Sequence, residues 1–249
     1  MSPPIVQYWD SESPPDYIAA LVETFRSGNP DAHHILFHRS SAERFIADRF
    51  SPREVAAFRA CAVPAMQSDY LRYCAVLALG GIYCDVGYRC IAPLHTFFEG
   101  CGDGRLFQRP AGQVVNGFFG FAAPGHPLLE LTLETATANI EKRSGDHVWQ
   151  ATGPAIFTAL WWLRELGSIE ALRARSREAL KGNLQPAVAA LEALAPDCRR
   201  LLQATDRMTL DPIDDVRRWL AKPEADLPYK QSPAHWVGHE SPIFRDDVA

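Results

Sequence analysis

The stretch QSDYLRYCAVLALGGIYCDVG, residues 67–87, decides how the rest of the chain is interpreted. From Tyr70 to Leu79 it is nearly all apolar apart from Arg72, which predicts a helix over 67–79 that is buried on most sides. The pair Gly80-Gly81 allows a tight reversal of the chain. Residues 82–86 then predict a strand that leaves this turn.

Three ionisable residues interrupt this apolar unit. Asp69 and Arg72 share one helix face, and Asp69 falls in the first predicted turn, where the helix dipole favours a carboxylate. Asp85 lies in the strand, where a buried charge needs a partner. Because ligands bind at strand ends in open α/β sheets, we expect the three to meet in a crevice suited to a phosphorylated polyhydroxyl ligand. A structural ion pair between Asp69 and Arg72 is the alternative.

Strands and helices alternate on both sides of this unit. This order predicts an α/β fold with a mostly parallel sheet. The predicted strands are Pro4–Trp9, His34–Phe37, Leu106-Phe107 and Asn116–Ala122, and the further helices are Asp16–Ser27, Ser41–Phe50, Pro52–Cys61, Pro127–Ile140 and Gly153–Leu166.

The composition changes after residue 168. Residues 169–220 are rich in Ala, Leu, Arg and Glu, and their leucine spacing predicts two or three amphipathic helices. We interpret them as a helical insertion or subdomain within one domain that spans residues 1–249.

Composition and charge restrict the function classes. The 25 Lys and Arg against 30 Asp and Glu give a net charge of −5, which argues against nucleic-acid binding. Neither a transmembrane segment nor a signal peptide is apparent. The six cysteines include no C-x-x-C pair. We therefore expect a cytoplasmic protein, and leave open whether it binds the periphery of a membrane.

The central stretch also resembles a known pattern. Residues 68–87 read S-D-Y-L-R-Y-x₆-G-G-I-Y-C-D-V-G. They resemble S-D-x-x-R-Y-x-x-L-x-x-x-G-G-x-Y-x-D-x-D, the segment of glycosyltransferase family 32 and of related sugar-binding regions with a D-x-D motif. Further likeness lies at Pro4–Trp9, residues 29–37, Asn116–Phe119, residues 123–127, Thr152–Pro154 and His235-Trp236.

This resemblance implies a fold and an activity. The expected fold is a GT-A-like, Rossmann-type nucleotide-sugar-binding domain with an added helical region. The expected enzyme is a retaining glycosyltransferase, of the hexosyltransferase kind, that moves a sugar from a nucleotide-sugar donor to a saccharide, lipid or protein acceptor. Such activity suits polysaccharide or glycolipid assembly.

The resemblance also implies roles for particular residues. Asp69, Arg72 and Asp85 are the expected catalytic residues: the first two would hold hydroxyls of the donor sugar, and Asp85 would contact the ribose or a divalent metal ion. The other expected donor-binding residues are Gln7, Tyr8 and Trp9 in the base and ribose pocket, Asn116, Arg89, Trp236, and His235 at the leaving pyrophosphate.

One departure from the pattern concerns the metal ion. Gly87 replaces the second aspartate of D-x-D, which in the pattern helps to bind Mn²⁺ or Mg²⁺. The metal ligands left are Asp85 and His235, so either cation-dependent or cation-independent transfer is open. If the strand continues, residues 85, 87 and 89 share one face, and Arg89 could supply part of the missing positive charge. The alternative for Arg89 is a solvated strand end.

Two further functions stay open at this point. The chain could be a degenerate family member that binds a nucleotide sugar without catalysis, because Gly87 has replaced a metal ligand. Residues 169–220 could instead bind a partner protein.

Overall fold

The computed structural model describes residues 2–194, 207–223, 227–231 and 242–245. The strands are β1 (Ile5–Tyr8), β2 (His34–Phe37), β3 (Gly81–Cys84), β4 (Arg89–Cys90), β5 (Gly104–Gln108), β6 (Val114–Phe121), β7 (Met208–Pro212) and β8 (Leu220–Ala221). The helices are α1 (Asp16–Gly28), α2 (Arg39–Arg49), α3 (Pro52–Ala60), α4 (Pro64–Leu79), α5 (Pro127–Glu141), α6 (Val148–Ala151), α7 (Pro154–Leu166), α8 (Ile169–Leu180) and α9 (Gln185–Ala193).

Six strands form the main sheet, in the order β2-β1-β3-β6-β5-β7. β1 pairs in parallel with β2 and β3, and β5 pairs in parallel with β7. β6 runs antiparallel to both of its neighbours, β3 and β5. The predicted α/β fold with a mostly parallel sheet is therefore confirmed. A second, two-stranded sheet joins β4 and β8.

The turn between α4 and β3 places β3 in the middle of the main sheet. Gly80 ends the helix with a φ of 68°, and Gly81 follows with a φ of 90°. A Cβ atom on Gly81 would lie 2.3 Å from the carbonyl oxygen of Pro4. Only glycine fits this contact, and the backbone N–H of Ile82 then donates to the same oxygen at 2.8 Å. The predicted reversal at Gly80-Gly81 is confirmed.

The helix α4 is largely buried. Its residues from Met66 to Val76 are almost all buried, as its apolar sequence predicts, and it packs against β1, β3 and α5. The phenol groups inside this core have partners, as buried polar atoms require. Tyr70 shares a 2.7 Å hydrogen bond with Thr137 of α5, and Tyr73 donates to the carbonyl oxygen of Thr152 at 2.7 Å. These contacts fix how α4 faces the sheet.

The start of α4 corrects one prediction. The helix begins at Pro64, not at Gln67, because proline is tolerated in the first turn of a helix. Asp69 therefore lies in the second turn. The prediction that the helix dipole stabilises the Asp69 carboxylate was therefore wrong. The groups that stabilise this carboxylate are side chains around it.

Among the described residues of the region 169–220, α-helices occupy only the first part. α8 and α9 confirm the amphipathic helices there, but β7 is a strand where helix was predicted. β7 pairs along its whole length with β5, from Gly104 opposite Met208 to Gln108 opposite Pro212. This long-range pairing overrides the local helical composition. Among the described residues, no helix is long and apolar enough to cross a membrane.

Candidate active site

Arg72 stands at the centre of a buried polar cluster. Its side chain is 5% exposed, and its guanidinium reaches Asp69 Oδ1 at 3.1 Å and Asp85 Oδ1 at 3.0 Å. It also donates to the carbonyl oxygen of Asn116 at 2.8 Å and to the Ser68 hydroxyl at 2.9 Å. The structure thus brings the three predicted charges together around one guanidinium, whose planar fork suits two carboxylates at once.

Asp69 is the buried end of this cluster. Its Oδ1 atom accepts from the Asn116 amide at 2.9 Å, and its Oδ2 atom accepts from the Thr152 hydroxyl at 3.2 Å. Burial raises the pKa of Asp69 to about 6, with Arg72 acting in the opposite direction and Asp85 adding to the rise. The carboxylate is therefore held by partners from three separate segments, and it orients Arg72 and Asn116.

Asp85 is the exposed end. Its side chain is 42% exposed, against 8% for Asp69. β3 ends at Cys84, so Asp85 comes directly after the strand, and its backbone N–H donates to the carbonyl oxygen of Gly117 at 2.8 Å. A Cβ atom on Gly117 would lie 2.4 Å from Asp85 Oδ2. Glycine at this point of β6 thus leaves the space that the Asp85 carboxylate occupies.

Tyr83 and Ser68 also belong to the cluster, although they were not among the predicted site residues. The Tyr83 hydroxyl donates to Asp85 Oδ1 at 3.0 Å and lies 2.7 Å from the Ser68 hydroxyl. The Arg72 guanidinium lies over the Tyr83 ring, 4.4 Å from its centroid, in a cation–π contact. Burial lowers the pKa of Arg72, but Tyr83, Asp85 and Asp69 raise it by more. Arg72 therefore keeps its charge. Both residues belong to the fixed positions of the motif, which is the signal that could have found them.

The first strand contributes less than predicted. Gln7 is buried and its Oε1 atom lies 2.8 Å from His34 Nε2, while the Tyr8 hydroxyl donates to Gln67 at 2.8 Å. The structure does not bring these two side chains to the cluster. Trp9 is partly exposed and packs edge-on against Tyr229, with ring centroids 5.5 Å apart.

A short segment after β8 covers the turn that follows β3. We call residues 227–231 the tail segment. Leu227 packs with Val86 and with Ile18 of α1 in a small apolar cluster. Burial raises the pKa of Tyr229, and the charge of Asp85 raises it further, which places the tail segment within electrostatic range of the site.

The part of the chain that carries the Arg72 cluster is similar to a known protein family. Residues 15–100 match the sequence model of a family described as "Glycosyltransferase sugar-binding region containing DXD motif". This segment is similar to a glycosyltransferase sugar-binding region. The match contains α1, the whole of α4 and β3, and thus all three charges of the cluster. The predicted resemblance is confirmed over these residues.

The fold of the chain is similar to a known structure well beyond residues 15–100. The chain is similar to a solved structure titled "PaToxG Glycosyltransferase", with a TM-score of 0.51 and 17% sequence identity. The alignment covers 78% of this chain and 87% of that chain. At this identity the likeness concerns the fold, and it supports the predicted GT-A-like architecture. Comparison with curated protein sequences gives no match.

The turn at residues 86–88 corrects the prediction that Arg89 lies on the same strand face as Asp85. The chain turns at residues 86–88, so β3 does not continue, and Arg89 lies in β4 of the separate two-stranded sheet. Strand alternation therefore does not relate Arg89 to Asp85, and that argument was wrong. Arg89 is exposed and pairs through its backbone with Ala221.

The described residues do not fit a divalent cation well. Asp85 Oδ1 already accepts hydrogen bonds from Arg72 and Tyr83, and position 87 has no side chain. Within ranges 2–194, 207–223, 227–231 and 242–245, no group of three His, Cys, Asp or Glu side chains could hold a metal ion. A hard cation needs several oxygen ligands. His235 and Trp236, predicted to contact the metal or the donor, lie outside the described residues.

A cavity of about 550 Å³ lies elsewhere, beside the edge strand β2. Its lining includes His34, Phe45 and Arg49 but no carboxylate. The paired carboxylates that suit sugar hydroxyls are those around Arg72, so the exposed end of this cluster at Asp85 is the candidate site.

Proposed function

We propose that this protein is a glycosyltransferase that moves a sugar from a nucleotide-sugar donor to an acceptor hydroxyl. The observation that carries the proposal is the Arg72-centred cluster within a glycosyltransferase sugar-binding region. Of its three charged side chains only Asp85 is substantially exposed, so the donor meets the cluster there.

Asp85 is the residue that we assign to direct donor contact. A carboxylate offers about four acceptor positions, and two hydrogen bonds hold its Oδ1 atom in place. The remaining positions suit hydroxyl groups of the sugar or of the ribose. Asp69 acts through Arg72 and Asn116 as a positioning residue, because its oxygens already accept from buried donors.

The reaction is a substitution at the anomeric carbon. The bond between this carbon and the diphosphate oxygen breaks, and its electron pair leaves with the nucleoside diphosphate. The acceptor oxygen bonds to the same carbon and gives up its proton to the departing diphosphate. Stabilising the charge of the departing diphosphate and holding the donor in line are the main contributions open to the protein.

Finer features of the reaction follow the family that the motif resembles. We propose that the configuration at the anomeric carbon is retained and that the donor is a hexose linked to a nucleoside diphosphate. The acceptor class is a saccharide, lipid or protein, as in the assembly of a polysaccharide or glycolipid.

A panel of nucleotide sugars tests this function. The protein is melted with each sugar, once with MnCl₂ and once with EDTA, since a ligand of the native state raises the melting temperature by mass action. Release of nucleoside diphosphate is then measured for each sugar that binds. We expect at least one sugar to bind and to be slowly hydrolysed. No binding across the panel under either condition would overturn the proposal.

Gly87 favours one second candidate, a protein that binds a nucleotide sugar without transferring it. The metal-binding carboxylate of the D-x-D pattern is missing at this position. The same panel separates the two functions, because a pure binding protein shifts its melting temperature and releases no nucleoside diphosphate even with acceptors present.

A further inference from the structure

The position of the missing carboxylate is covered by the tail segment. A Cβ atom on Gly87 would lie 2.9 Å from the Tyr229 hydroxyl and 3.7 Å from the ammonium nitrogen of Lys230. A larger residue at position 87 would have to displace the Tyr229 side chain. Gly87 is thus a place of close approach that admits this segment.

The tail segment presents a positive charge at this point. Leu227 is buried against Val86 and α1, which anchors the segment beside the turn. The backbone N–H of Lys230 donates to the Leu227 carbonyl oxygen at 2.9 Å, so the anchor also fixes the backbone at Lys230. Its side chain is exposed, with the ammonium nitrogen 5.9 Å from the centre of the Tyr229 ring.

The charges of the Arg72 cluster also favour an anion near Lys230 rather than near Arg72. Arg72 is already shared between Asp69 and Asp85, and it is 5% exposed. The cluster therefore has little positive charge to offer a ligand at the surface. Lys230 adds a mobile cation on a flexible stem at the exposed rim, next to the turn that carries Asp85.

We propose that the Lys230 ammonium binds the diphosphate of the donor at the place left by the second D-x-D carboxylate, so that donor binding requires no divalent cation. This inference rests on the proposed function. Asp85 and Lys230 then divide the ligand between them: the carboxylate takes hydroxyl groups, and the ammonium takes phosphate oxygens. A charge-assisted contact of this kind is stronger than a neutral hydrogen bond.

The test is isothermal titration of the wild-type protein with UDP, GDP, CDP, ADP and dTDP in turn. Each titration is run in EDTA and again with MnCl₂. Lys230→Gln, Lys230→Arg and the control Lys142→Gln are then titrated in EDTA with the diphosphate that binds most tightly and with its nucleoside. Lys142 is an exposed lysine at the end of α5, which matches Lys230 in exposure but not in place.

We expect the wild type to bind the diphosphate in EDTA within about threefold of its affinity with Mn²⁺. Lys230→Gln should weaken diphosphate binding by about tenfold or more, which is the usual weight of a hydrogen bond to a charged group. Lys230→Arg should restore most of the affinity, and Lys142→Gln should bind like the wild type. Nucleoside binding should not change in any variant.

Three results would overturn the inference while leaving the proposed function intact. These are binding that disappears in EDTA, wild-type affinity in Lys230→Gln, and an equal loss of diphosphate and nucleoside affinity, which would indicate a merely structural role. If no nucleoside diphosphate and no nucleotide sugar binds with or without Mn²⁺, the proposed function fails together with the inference.

Discussion

Arg72 is the residue on which the candidate site depends. It is buried, and it joins a buried carboxylate, an exposed carboxylate and a backbone carbonyl oxygen of β6. Without it, Asp69 and Asp85 would be two like charges at close range. A lysine could neutralise one of them but lacks the planar fork that holds both.

Replacing Arg72 tests this arrangement directly. We expect Arg72→Lys to lower the free energy of unfolding by about 2 kcal/mol or more, because a buried carboxylate loses its partner. The matched control is Arg53→Lys, since Arg53 also holds two carboxylates, those of Glu134 and Glu141, but at the surface. The control should cost less than about 1 kcal/mol. Urea denaturation measures both, and equal losses would contradict the account.

Asp69 should make stability depend on pH in a particular direction. Burial raises its pKa from 3.8 to about 6, so the folded state binds a proton more tightly than the unfolded state does. This contribution to stability is fully present below pH 3.8 and is lost as the pH rises through 6. The wild type should therefore lose stability relative to Asp69→Asn across that window. Denaturation midpoints of the two proteins at several pH values measure the effect, and a constant difference would show that Asp69 does not titrate this way.

Among the helices and strands, the turn between α4 and β3 sets the geometry of the site. α4 supplies Asp69 and Arg72, β3 leads into Asp85, and only Gly80 lies between α4 and β3. Any displacement of β3 from β1 would therefore separate Asp85 from Arg72.

Two glycines with similar backbone angles distinguish strain from close packing. We expect Gly81→Ala to destabilise the fold by more than about 3 kcal/mol. The alanine Cβ atom would clash with Pro4, and the residue would also have to adopt a positive φ. Gly125→Ala shares the positive φ but has open space around it, and should cost about 1–2 kcal/mol. Thermal unfolding compares them. Similar losses would mean that contact with Pro4 is unimportant.

The elements also show what local sequence can predict. Strands β1 and β2, the buried helix α4 and the glycine reversal follow from apolar spacing and turn residues, which act over a few positions. β7 was missed because its pairing with β5 joins distant parts of the chain. The start of α4 was placed late because a proline that opens a helix is easily taken for one that precedes it.

In the whole molecule, the site likewise combines contacts that local sequence predicts with contacts that only folding creates. The motif spacing predicted that Asp69, Arg72 and Asp85 meet, and they do. The proximity of Lys230 to Gly87 could not be predicted, because only folding brings the tail segment to the turn. The prediction that strand alternation places Arg89 beside Asp85 failed for a related reason: a turn, not a continuing strand, follows Asp85.

The proposed sugar transfer is tested most directly by the rate of nucleoside diphosphate release from nucleotide sugars with MnCl₂ present. The wild type should release it from at least one sugar, and Asp85→Asn should be slower by about 100-fold or more. Asp103→Asn is the control, since Asp103 is 43% exposed and paired with Arg207, and it should match the wild type. No release by the wild type, or equal rates for wild type and Asp85→Asn, would contradict the claim that this cluster transfers a sugar.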